Sequence, residues 1–187
     1  MSSGTYGNSH LDLLNINSMV NEKSVGIDSQ YFGEGITRLN NGDIYMLTYR
    51  SRTALHFNAE FELIKTFTIP SRIKEGWGMT HVGDMLLISD GSNSLYWVDP
   101  VTFTITDSFK VPNTKYINEL EFVNDLIYAN RFLRSDILVF TVDGTLVKEL
   151  DFRALLDNES SYNSQNGVTW SGFDKTNNVL NGIAYHA

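Results

Sequence analysis

The chain has 187 residues, 42% hydrophobic and 12% aromatic, which is enough for one domain with a buried core and too apolar for default disorder. A formal net charge of −8 with no cluster of lysine or arginine argues against a phosphate-binding face and so against a nucleic-acid partner. Cysteine is absent, which excludes disulfides, thiolate nucleophiles and cysteine zinc sites, and no apolar run approaches the roughly 20 residues of a membrane-spanning helix.

Residues 1–10 are polar and Gly/Ser-rich, without the apolar stretch of a secretory signal. Residues 11–16 and 23–28 read as the two outer strands of a unit whose inner strands are mostly missing. A full unit follows. It opens with Glu34-Gly35-Ile36-Thr37, continues through Ile44-Tyr45-Met46-Leu47 and a strand carrying Leu55 and Phe57, and closes over 61–69. The pattern returns as Trp77-Gly78-Met79-Thr80, Met85-Leu86-Leu87-Ile88, a strand with Tyr96 and Val98, and 103–111. It returns again as Asn118-Glu119-Leu120-Glu121, Leu126-Ile127-Tyr128-Ala129, a strand with Ile137 and Val139, and 145–152.

The second strands begin 41 residues apart, twice over, and the third strands are aligned at the same spacing. Residues 153–179 break the period. They begin Arg153-Ala154-Leu155-Leu156-Asp157 and read as an inserted short helical turn and a surface loop. Residues 180–185 then read as one more opening strand with nothing after it. Four short strands per unit at this period predict the blades of an all-β β-propeller. A β-sandwich would not hold so regular a register, and no helical periodicity recurs. The expectation is a single incomplete propeller domain over 1–187, with three complete blades, two partial ones and a chain cut at both ends.

Register also predicts a site. Glu34, Trp77, Asn118 and Asn181 stand first in their opening strands, and opening strands line a propeller's axis. A carboxylate, an indole and two amides would therefore meet at one end of that axis and form a small-molecule pocket. Taken singly, each has an ordinary structural role, as solvated acid, inter-blade packing or turn amide. The histidines (His10, His56, His81, His186) have no metal-ligand spacing, and Asp90-Gly91-Ser92 and Asp99-Pro100 read as turns. No metal or cofactor is expected.

Six stretches in order carry a resemblance: Tyr31-Phe32-Gly33-Glu34-Gly35-Ile36-Thr37, Gly76-Trp77-Gly78-Met79-Thr80, Leu87-Ile88-Ser89-Asp90-Gly91-Ser92, Ile117-Asn118-Glu119-Leu120-Glu121-Phe122, Ile127-Tyr128-Ala129-Asn130 and Leu180-Asn181-Gly182-Ile183-Ala184-Tyr185. Ser3-Gly4-Thr5-Tyr6-Gly7 adds a seventh. The chain resembles the plant-type glutaminyl cyclases, or glutamine cyclotransferases, over almost its whole length. That resemblance implies a five-bladed propeller in which Glu34 shuttles protons, with Phe32 beside it, and Trp77 and Asn118 enclose and hydrogen-bond the substrate's glutamine. Tyr49 and Phe132 stand at or next to two family tryptophans and would keep the aromatic wall without its indole donors. Asn181 matches a family motif. A family segment with an aromatic and a glutamine before the first match, and one with a lysine after the last, have no counterpart in these residues.

The implied activity is a metal-independent glutaminyl-peptide cyclotransferase, with no cofactor. Its implied partners are peptides or proteins with N-terminal glutamine, without nucleic acid or membrane, and a monomer is expected. Its compartment stays open, although secreted and periplasmic members are common in the family. The alternative is a propeller fragment that binds peptides or proteins without catalysis.

Overall fold

In a computed structural model, which describes residues 1–156, 165 and 181–185, the second strands of the first two full repeat units are buried almost throughout. Four antiparallel sheets follow one another along the chain, each keeping its strands in sequence order across the sheet. The first holds β1 (Ser2–Ser3), β2 (His10–Asn15) and β3 (Val20–Gly26). The second holds β4 (Gly33–Arg38), β5 (Ile44–Thr48), β6 (Thr53–Phe57) and β7 (Leu63–Thr68). The third is β8 (Met79–Val82), β9 (Met85–Ser89), β10 (Ser94–Val98) and β11 (Ile105–Lys110), and the fourth is β12 (Ile117–Val123), β13 (Leu126–Arg131), β14 (Asp136–Thr141) and β15 (Leu146–Asp151). Among the innermost strands, β4 packs beside β8 and β8 beside β12.

Every residue of β5 is buried, because its two faces serve two different cores. Ile44 and Met46 join Leu11, Leu55 and Phe57 between the first and second blades. Tyr45 and Leu47 point the other way, onto Met79, Leu86, Ile88 and Val98 of the third blade. In the same manner Leu87 leaves its neighbours Leu86 and Ile88 and packs with Ile117, Leu120, Ala129 and Phe140. Burial on both sheet faces by successive neighbours is the propeller arrangement. It also explains why the second strands read as unbroken apolar runs. The closing strands β3, β7 and β15 are mostly exposed, as the outer edge of each blade.

Turn chemistry repeats with the blades. Asn58 Oδ1 accepts the backbone N–H of Glu60 and Glu62, and Asp99 Oδ1 accepts those of Val101 and Thr102. Asn15 does the same for Asn17 and Ser18 in the first blade. Such side-chain bonds replace backbone partners and close the third-to-fourth-strand turn. Asn15 thus occupies the place of Asn58, so β2 and β3 are third and fourth strands, β1 is the remnant of a second strand, and the innermost strand of this blade is absent among the described residues.

Two expectations change. The third strands do not repeat at 41. Leu55 pairs with Met46, but Tyr96 pairs with Ile88 and Ile137 with Asn130, a slip of one residue per blade. The true equivalents are Leu55, Trp97 and Val139, which face Met46, Leu87 and Tyr128. Residues 181–185 form no strand, and Leu180 lies outside the described residues. The segment touches β12 through Tyr185, whose N–H donates to Glu121 Oε1 at 3.3 Å. Of the insertion, 153–156 form one helical turn; its remainder, 165 excepted, lies outside the described residues.

Candidate active site

The inner strands approach one another more closely than side chains would permit. A Cβ on Gly35 would stand 2.5 Å from the Trp77 carbonyl oxygen, and one on Gly78 would stand 2.1 Å from that of Asn118. Both contacts are to backbone, so glycine is required at both positions. The Gly35 N–H donates to Trp77 O at 2.7 Å. Ser89, fully buried, accepts the Gly78 N–H at 2.8 Å and donates to Asn118 O at 2.7 Å. Asn130 Oδ1 accepts the Glu119 N–H at 2.8 Å. Thr48, Ser89 and Asn130 fall at one repeat position and are each 0% exposed. At two of the three, the side chain accepts a backbone N–H at the start of an opening strand.

These backbones carry the residues singled out from register. Glu34 lies partly buried on β4, its carbonyl accepting from Ser2 Oγ at 2.8 Å. Phe32, just before β4, stands 5.2 Å from the Tyr6 ring and 5.9 Å from that of Tyr49. Trp77 precedes β8, and its ring meets Phe132 edge-on at 5.6 Å. Gly91, with φ of 76°, backs the indole, because a Cβ there would lie 2.7 Å from it. Buried Asn118 on β12 donates Nδ2 to Asn181 Oδ1 at 2.8 Å. Tyr49 and Phe132 thus contribute to two aromatic groups, one around Phe32 and the other around Trp77.

Four further residues enter that the sequence reading passed over. Tyr6 extends the Phe32 group. Glu75 accepts the Trp77 indole N–H at 3.0 Å and the Arg50 Nε at 3.3 Å. Arg50 lies over the Tyr49 ring at 4.7 Å and donates Nη2 to its hydroxyl at 3.2 Å. Glu119 follows Asn118 in chain. Signals were present for two of them: Glu119 sits inside a matching stretch, and so does Tyr6.

The acids share one field. Loss of water on burial, and then the charge of Glu75, pushes Glu34 up to about 8. Burial also pushes Glu119 up to about 8, reinforced by Glu34 and then Glu121. No ion pair to Glu34 or Glu119 occurs among the described residues. A carboxyl so placed exists in both protonation states near neutrality and can take and return a proton. Among the described residues no group of three or more His, Asp or Glu is arranged to hold a metal ion. A cleft of about 380 Å³ opens elsewhere, lined by Lys110, Thr114, Leu138, Gly144 and Glu149. It contains none of the site residues singled out from register or resemblance.

The fold is that of an all-β propeller, and at or near the start of its opening strands stand a desolvated acid, two groups of aromatic rings and an amide. The chain belongs to the glutamine cyclotransferase family, whose profile matches residues 1–187. It is 29% identical over 180 residues to the glutaminyl-peptide cyclotransferase of Arabidopsis thaliana, covering 90% of this chain and 55% of that protein. The chain therefore spans about half the length of this curated relative. The crystal structure of Myxococcus xanthus glutaminyl cyclase superimposes with a TM-score of 0.76 at 25% identity, over 86% of this chain and 69% of that one. The Neurospora crassa Pan2 WD40 domain, at 13% identity and a TM-score of 0.55 over 81% of this chain and 51% of its own, shares the fold alone.

Proposed function

We propose that the chain is a glutaminyl-peptide cyclotransferase that converts N-terminal glutamine of peptides or proteins to pyroglutamate and releases ammonia. The observation that carries this reading is the desolvated carboxyl of Glu34, two residues after Phe32 in the chain and next to the Gly35–Trp77 backbone bond. In the reaction the substrate's α-amine attacks its own side-chain amide carbon. A carbon–nitrogen bond forms to close the ring, the amide carbon–nitrogen bond breaks, and the amine's proton leaves with the departing nitrogen. Glu34 takes that proton and returns it, so one group serves both halves. The reacting atoms belong to one residue, so holding them in a near-attack arrangement supplies much of the rate. The rings of Phe32, Tyr49, Trp77 and Phe132 provide that enclosure. Asn118, with one N–H engaged by Asn181, offers its second N–H to the amide oxygen as charge develops.

Glu34→Gln keeps the shape and removes the proton carrier. Ammonia release from a glutamine-initiated peptide should fall by about 10²–10⁴, with the thermal transition retained; undiminished turnover would sink the reading. A second reading, a propeller that binds peptides without turnover, is favoured by the Trp77 N–H being already taken by Glu75. Calorimetric binding of such a peptide without ammonia release would select it.

A further inference from the structure

Glu75 spends its two carboxylate oxygens on groups from different blades. Oε2 holds the indole N–H of Trp77 and Oε1 holds Nε of Arg50, whose guanidinium lies flat over Tyr49 and donates to its hydroxyl. Tyr49 continues to Phe32, and Trp77 to Phe132. The contacts form one unbroken arc from Tyr6 to Phe132, and Glu75 joins its two halves. The Arg50 side chain is 66% exposed and that of Glu75 31%. Surface ion pairs of this kind add little to folding stability, so the geometry is better explained by what it orients.

We propose that Glu75 is a positioning residue that sets the separation of Trp77 from Tyr49, and with it the fit of the slot that receives the substrate's glutamine side chain. This rests on the cyclotransferase reading. Glu75 need not touch the substrate. It acts through the indole it anchors at the N–H, while Phe132 and Gly91 bound the same ring at its edge and back.

The test uses the full chain and five variants: Glu75→Ala, Glu75→Gln, Trp77→Phe, and the Glu75→Ala/Trp77→Phe and Glu75→Gln/Trp77→Phe pairs. Subtracting the Trp77→Phe emission isolates Trp77 fluorescence in each background. Acrylamide quenching of that signal should rise at least about twofold in Glu75→Ala and stay near the parent value in Glu75→Gln, whose amide oxygen can still accept the indole N–H. With a glutamine-initiated peptide at the plateau of the pH profile, Glu75→Ala should raise KM about tenfold with kcat within about threefold, and Glu75→Gln should restore KM. Unchanged quenching in Glu75→Ala overturns the proposal whether or not the protein turns over. So does a loss in Glu75→Gln as large as in Glu75→Ala. If the parent chain releases no ammonia, the cyclotransferase reading fails, and quenching still decides the role of Glu75.

Discussion

Glu34 and Glu119 stand near 8 because folding removes water from both and places other carboxylates nearby. A folded-state value raised above the unfolded one, near 4.5, means that protonation favours the native chain. The associated stability is complete below about 4.5 and is lost as pH rises toward 8. Thermal melts at fixed ionic strength should therefore show Tm falling between pH 5 and 9. Glu119→Gln, which cannot ionise, should make that slope shallower, and an identical slope would contradict the assignment. Activity has the opposite sign, because Glu34 accepts a proton only when ionised. Glu75→Gln removes the second cause of its shift, so the acid limb of kcat/KM should move to lower pH. Arg50, ion-paired to Glu75, and Glu119 and Glu121 across the inner strands share this field and stay unchanged in the comparison. Repeat position alone singled out Glu34, Trp77 and Asn118 as candidates. Glu75 and Arg50 were not legible in the sequence, because each lies in a loop between strands and their meeting depends on two blades packing together.

At the scale of strands, the site depends on how closely β4, β8 and β12 can approach. Gly78→Ala would drive a methyl group into the Asn118 carbonyl and the Glu119 Cα, both backbone atoms with nowhere to retreat. Overpacking of this kind costs about 1–3 kcal/mol, which urea unfolding would register as a lower midpoint. Ser89→Ala withdraws a buried partner from Gly78 N–H and Asn118 C=O at once, a loss of about 1–3 kcal/mol by the same measurement. The strands themselves were legible where four apolar residues run together, as in β5 and β9. The register of the third strands was not, since β6 and β10 each bury two adjacent residues and alternation cannot tell one from its neighbour. Residues 180–185 misled for a different reason. Their composition suits an opening strand, but such a strand needs a second strand to pair with, and 181–185 pair with none among the described residues.

For the whole molecule, the three apolar cores each lie between successive blades and share no residue. Stability should then behave as a sum of neighbouring interfaces, as in other repeat architectures. The 41-residue period made this organisation visible in the sequence, because it marks which strands are equivalent even where their exact register is lost. Met46 and Leu87 provide a direct test. Both are fully buried, Met46 between the first and second blades and Leu87 between the third and fourth, with a separate core between them. Met46→Ala and Leu87→Ala should each cost about 2–5 kcal/mol through lost burial and the cavity left behind. The double variant should match the sum to within about 0.5 kcal/mol, as for distant sites without shared partners. Coupling well beyond that value would mean that strain passes from blade to blade through the inner strands. The site built on those strands would then respond to packing changes anywhere in the ring.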